Sequence, residues 1–140
     1  EEDKEGLGKK GDLVGLEVNM RAPGGCIIDM INYAYDVDAF TIWADMLIYN
    51  KCFYDVNRKY LVGYVSRRNN TDYLHSMEEV YEKYGDKIMA NMDIPPIFSD
   101  AMGDNVLLFR TKSKDEIFEI ISFILKHRSE SNWFDKYTNL

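Results

Sequence analysis

Between Leu13 and Met20 apolar and polar positions alternate. Leu16, Val18 and Met20 fall on one side and Glu17 and Asn19 on the other, the two-residue period of a strand with one buried face. Ala22-Pro23-Gly24-Gly25 stops this run with strong breakers. The period then changes. A first helix is predicted from about Ile27 to Tyr35. A second follows Asp38, an N-cap residue, and runs to about Asn50, with Phe40, Trp43, Ala44, Leu47 and Ile48 at helical spacing.

The pattern alternates again from Lys59 to Arg68, a second strand. Ser76-Met77-Glu78-Glu79 is a capping box that opens a helix to about Tyr84, and Gly85 ends it. Lys87 to Met92 reads as a strand. Ile94-Pro95-Pro96-Ile97-Phe98 reads as an extended loop, because proline blocks helix interior and ladder alike, and Ser99 to Asp104 as a turn. Asn105 to Thr111 is a short strand. Ser113-Lys114-Asp115-Glu116 is a second capping box, and its helix carries Ile117, Ile120, Ile121, Ile124 and Leu125 on one face. Trp133, Phe134 and Tyr137 suggest a short docked helix at the tail. Strands interleaved with helices in this order give an α+β class with a mostly antiparallel sheet.

Composition narrows the function classes. The 140 residues carry 17 basic and 24 acidic side chains, a formal net charge of −7. An acidic chain is a poor general binder of nucleic acid or anionic membrane, since phosphate recognition needs a basic surface. No run of about 18 apolar residues is present to span a bilayer. Glu1-Glu2-Asp3-Lys4-Glu5 is the opposite of a signal peptide, so the expected location is the cytoplasm. Cys26 and Cys52 are too few for a disulfide framework and read as packed, reduced thiols. His75 reads as a loop histidine and His127 as a cation in the last turn of a helix, with no zinc spacing between them. Arg67 and Arg68, near Arg58 and Lys59, read as a solvated strand end. Tyr33, Tyr35, Tyr49, Tyr54, Tyr60 and Tyr64 read as a core edge with hydroxyls outward.

The polar face of the first strand holds the candidate chemistry. Glu17, Asn19 and Arg21 are two residues apart, so a carboxylate, an amide carbonyl and a guanidinium line up at roughly 6–7 Å intervals. A hard cation takes such oxygens and leaves other positions to water and phosphate. Arg21 suits a phosphate or carboxylate. The Ala22-Pro23-Gly24-Gly25 turn lets backbone approach a ligand and offers N–H donors at the start of the next helix. The plain alternative is a solvated edge-strand face.

The segment from Gly15 to Gly25, with Glu17-Val18-Asn19-Met20-Arg21 at its centre, resembles the last metal-binding motif of the ATP-grasp superfamily. The resemblance implies that Glu17 and Asn19 are ligands of the Mg²⁺ (or Mn²⁺) ions that bridge ATP phosphates. It implies that Arg21 contacts the transferred phosphoryl group or the acyl substrate. Gly24 and Gly25 resemble the turn of carboxylate–amine ligases that bounds the acceptor site, with Asp29 facing that site. Residues 59–140 resemble in arrangement the closing portion of biotin-carboxylase-like members. Biotin carboxylases carry Glu-His where this chain has Gly24 and Gly25, which speaks against biotin carboxylation itself.

The resemblance further implies an organisation and an activity. Residues 1–12 form a connecting loop, 13–58 the metal-motif strand and helices, and 59–140 a closing α+β unit, together one C-terminal subdomain of a longer chain. The intact enzyme would use Mg-ATP to activate a small carboxylate as an acylphosphate for attack by an amine. The isolated fragment would be inactive, because the nucleotide-binding half lies upstream. A homodimer is compatible with the aromatic content. The alternative is a non-catalytic α+β binding or dimerisation module.

Overall fold

A computed structural model describes residues 11, 13, 15 and 21–128. Of the predicted strand over 13–20 only Leu13 and Gly15 are described; the rest of it, the tail aromatics Trp133, Phe134 and Tyr137, and all of the 1–12 loop except Gly11 lie outside the described residues. The elements run α1 (Ile27–Tyr35), α2 (Ala39–Tyr49), β1 (Leu61–Arg67), α3 (Met77–Tyr84), β2 (Ile88–Asp93), α4 (Pro96–Met102), β3 (Asn105–Thr111) and α5 (Lys114–Leu125). The three strands form one sheet in the order β1-β3-β2, and both pairings are antiparallel. The class is α+β with an antiparallel sheet. No helix among the described residues is long and apolar enough to cross a membrane.

Local signals place most of these elements. The Asp38 carboxylate accepts hydrogen bonds from the Phe40 and Thr41 amides and so starts α2. Ser76 and Glu79 close a reciprocal capping box at α3. The second predicted capping box is only half made. Ser113 Oγ accepts from the Glu116 amide, but the Glu116 carboxylate goes to the Thr111 hydroxyl and to Lys87 Nζ. The Ser113 amide donates to Thr111 Oγ1 instead.

The predicted extended loop around Pro95-Pro96 is a helix start. Pro95 precedes α4 with Pro96 as its first residue, where a missing N–H costs nothing and the fixed φ already suits a helix. The prolines exclude helix only for the residues before them.

The central strand β3 buries Val106, Leu107, Leu108 and Phe109 completely, so both sheet faces are covered. On one face Val65, Leu107 and Phe109 pack with Val80 and Tyr84 of α3 and with Ile120 and Ile124 of α5. This cluster is the core, and removing its area from water supplies the main drive to fold. Gly63 stands opposite Phe109 in the ladder. A Cβ on Gly63 would lie 2.2 Å from Phe109 Cζ, so the aromatic ring occupies the space a side chain would need.

The end of β1 is buried rather than solvated. Arg67 is 9% exposed. Its guanidinium donates to the Ile124 carbonyl at the end of α5 and lies 4.5 Å from the centroid of the Tyr73 ring. Arg68 donates to the Ser99 and Asp100 carbonyls of α4. Two successive arginines therefore bond carbonyls in the C-terminal halves of two helices, where the helix dipole favours cations.

Candidate functional site

Glu17 and Asn19 lie outside the described residues. The remainder of the predicted site is described. Arg21 is exposed, and Ala22, Pro23 and Gly24 follow without regular structure. Gly25 has φ +63 with open space where a Cβ would stand. The left-handed backbone, not crowding, is what calls for glycine there. Cys26 then precedes α1 without a side-chain cap. Asp29 sits in the first turn of α1, where the helix dipole favours a carboxylate. Burial pushes the Cys26 thiol above its ordinary value, and the Asp29 carboxylate adds to the rise. Cys26 is thus a weak nucleophile at neutral pH. Cys52 is exposed, not packed as predicted.

Among the described residues no three His, Cys, Asp or Glu side chains gather as a metal site. The histidines occupy structural positions. His75 stacks on Phe123 with ring centroids 3.7 Å apart and planes 9° from parallel. His127 lies beyond α5, not in its last turn, and bridges to Tyr73.

A second constellation was not predicted. The carboxylate of Asp36, a residue in the left-handed conformation just past α1, takes ion pairs from Arg110 of β3 and Lys59. Hydrogen bonding from Arg110 is the largest cause that holds the Asp36 carboxyl below its usual range. The Arg110 guanidinium also lies 4.2 Å from the centroid of the Tyr60 ring. The Lys59 and Tyr60 amides both donate to the Ala34 carbonyl, at 2.9 and 3.0 Å. These contacts tie the end of α1 to the start of β1. They build one wall of an open groove of about 670 Å³ between α1, the start of β1 and the first turns of α5. Its walls are apolar, with Ile31 and Ala34 from α1, Leu61 and Val62 from β1 and Ile117 from α5, and Arg58 and Lys114 at its rim. The only sequence signal for it is the Ile27, Met30, Ile31, Ala34 spacing, which reads equally as core.

A smaller hollow of about 340 Å³ lies at the opposite end of the sheet, lined by Arg67, Asn69, Asn91 and Asn105 among others. Its polar groups largely satisfy one another, with Asn105 Nδ2 bonded to Asn91, Met92 and Asp93.

The tyrosines divide. Tyr64 is half-buried and donates its hydroxyl to the Met102 carbonyl, whereas Tyr49 and Tyr54 are exposed. They belong to a larger apolar surface. No residue of α2 is buried, and Phe40, Trp43, Leu47, Ile48, Tyr49 and Phe53 are all 43–69% exposed.

No family model, no curated protein and no solved structure matches this chain.

Proposed function

We propose that this chain is the C-terminal part of an ATP-grasp carboxylate–amine ligase that works in the cytoplasm. The observation that carries the reading is the run Glu17-x-Asn19-x-Arg21 leading into a Gly24-Gly25 turn and a helix. The left-handed Gly25, the exposed Arg21 and the helix that begins at Ile27 are compatible with that use of the turn. The antiparallel sheet with covering helices is compatible with a closing unit of that fold.

On this reading Glu17 and Asn19 hold the Mg²⁺ or Mn²⁺. A carboxylate and an amide carbonyl are hard oxygen donors suited to such ions. Bound there, the ion neutralises charge on the phosphates of ATP. Arg21 orients the transferred phosphoryl group through paired N–H donors. The γ-phosphoryl group passes to the oxygen of a substrate carboxylate, leaving ADP and an acylphosphate. An amine then attacks the acyl carbon, and inorganic phosphate leaves. Backbone amides at Gly24 and Gly25 and the Asp29 carboxylate border the acceptor. Catalysis is chiefly positioning and electrostatics.

The test is carboxylate-dependent ADP release by the protein that joins this chain to a nucleotide-binding half. Glu17→Gln and Asn19→Ala should each lower turnover by about a hundredfold, the size of effect seen when a preorganised charge stabiliser is lost. Unchanged turnover overturns the reading.

The apolar α2 surface favours a second reading, a dimerisation module. Several large apolar side chains exposed on one helix are a common mark of a protein contact. Sedimentation of the chain across a concentration series separates the two, since a strictly monomeric chain removes the support for the second.

A further inference from the structure

The groove beside β1 has an apolar body and a cationic end, and the antiparallel register explains why. Leu61 pairs with Thr111 at the end of the β1–β3 ladder. Arg58 lies three residues before Leu61 and Lys114 three residues after Thr111. Both chains leave the sheet at the same end, and both side chains line the groove. Lys112, two residues closer, lies 5.8 Å from the centroid of Tyr60 at this end.

The charges there are unevenly matched. Lys59 and Arg110 are paired with Asp36, and Lys87 is paired with Glu116. Among the described residues Arg58, Lys112 and Lys114 make no ion pair, although the chain as a whole carries −7. Lys114 also opens α5, whose first turn carries Asp115 and Glu116 and whose Glu116 amide is capped by Ser113. An anion in the groove would meet the two lining cations, Arg58 and Lys114.

The body of the groove follows one face of α1. Ile27, Met30, Ile31 and Ala34 fall at the i, i+3, i+4, i+7 spacing and all line it. Nine residues at a rise of about 1.5 Å make it roughly 13 Å long, the reach of a medium-chain alkyl tail. Ligand pockets of about 300–1,000 Å³ with mostly apolar walls and a few polar groups at one end are the common form of small-molecule site.

We propose that this groove binds an amphiphilic monocarboxylate, with its alkyl tail along α1 and its carboxylate between Arg58 and Lys114. The site stands apart from the ATP-grasp reading and does not depend on it. The tail contributes by leaving water, and the carboxylate by charge-assisted hydrogen bonds. The two parts select together, because either alone leaves half the groove unused.

Isothermal titration of the full chain with decanoate below its micelle concentration tests the proposal. Decanoate should bind, and decanol, with the same tail and no charge, should bind at least about tenfold more weakly, as loss of one charged contact implies. Arg58→Gln combined with Lys114→Gln should weaken decanoate by a similar factor and leave decanol unchanged. Ile27→Glu should also weaken decanoate. Ile27 is 51% exposed, so that change leaves the fold intact, as circular dichroism will verify. Equal binding of decanoate and decanol overturns the proposal, as does decanoate binding that survives both variants or is absent from the start. Tight binding of an acidic extended peptide along β1, with none of decanoate, assigns the groove to a different occupant and also overturns it.

Discussion

Arg67 sets its guanidinium on the carbonyl of Ile124, with Nε at 2.9 Å and Nη2 at 2.5 Å, across 57 residues of sequence. One side chain thereby joins the end of β1 to the end of α5. Burial is the main cause that lowers the Arg67 pKa. The guanidinium stays charged at neutral pH, so the bond is charge-assisted.

Arg67→Met should therefore destabilise the chain by about 2 kcal/mol, within the range for a lost hydrogen bond to a charged group that strands a carbonyl. Arg67→Lys should recover less than half of this, because an ammonium cannot place two donors on one oxygen in the same fork. Urea unfolding followed by circular dichroism reads both values. A Met variant as stable as the parent would mean that water caps α5 equally well.

Gly63 and Phe109 should be strongly coupled. Gly63→Ala forces a methyl to within 2.2 Å of Phe109 Cζ, and overpacking of this kind costs about 1–3 kcal/mol. Phe109→Leu also destabilises on its own, by leaving a void. The double variant should be more stable than the sum of the single effects predicts, by at least about 0.5 kcal/mol. Additive losses would show that the ring moves aside freely.

Stability should rise with pH near neutrality because of His75. Burial against Phe123 is the largest cause that lowers its pKa from the ordinary 6.5, opposed by Glu79. A base with a lowered folded pKa binds fewer protons folded than unfolded between those two values, so unfolding takes up protons there. The stabilising effect is complete above about 6.5 and is lost as pH falls through the folded value. His75→Gln should flatten the melting temperature between about pH 7 and 5. The carboxyls of Asp36, Glu116 and Glu119 are lowered, the first chiefly by Arg110, the second by Thr111 and the third by Tyr84. Their contribution is present above the unfolded carboxyl value and is lost as pH falls through the lower folded one, so a second loss follows under stronger acid in the His75 variant too.

Leu47 and Ile48 are 62% and 69% exposed in α2. Replacing them by Leu47→Glu and Ile48→Lys should change unfolding stability by no more than about 0.5 kcal/mol each, as for ordinary surface sites. If α2 is an interface, the same pair should abolish concentration-dependent association in sedimentation. Association that persists locates any interface elsewhere.

Gly25→Ala places a Cβ at φ +63, where nothing obstructs it but the backbone strain is about 1–2 kcal/mol. A modest loss of stability should accompany it. On the proposed ligase reading, turnover of the intact protein should fall further than stability alone accounts for, because the turn would orient Arg21 and its own amides. Steady-state ADP release on a fully folded sample separates the two effects.

Much of the secondary structure was legible because its causes lie within four residues. Asp38 and Ser76 cap their helices with the amides that follow directly, and the bounds of α1 lie between a Gly-Gly turn and an Asp in the left-handed conformation. The α+β class followed from the alternation of two periods. Pro95-Pro96 misled because the same ring that ends one element can begin the next. The candidate motif was legible as residues, whereas its carboxylate and amide lie outside the described part of the fold.

By itself, then, the sequence determined the local turns, the caps, the apolar faces and the antiparallel class. Tertiary structure decided which partner each long side chain found. Arg67 and Arg68, adjacent and alike, bond two different helices, and Glu116 leaves its own capping box for Thr111 and Lys87. Arg58 and Lys114 line one groove although they are 56 residues apart in sequence, because β1 and β3 run antiparallel in the register that pairs Leu61 with Thr111. The physical reason is reach. A hydrogen bond to a near neighbour is constrained by local backbone geometry, while a charge at the end of a flexible chain goes wherever packing has left a carbonyl or carboxylate without a partner.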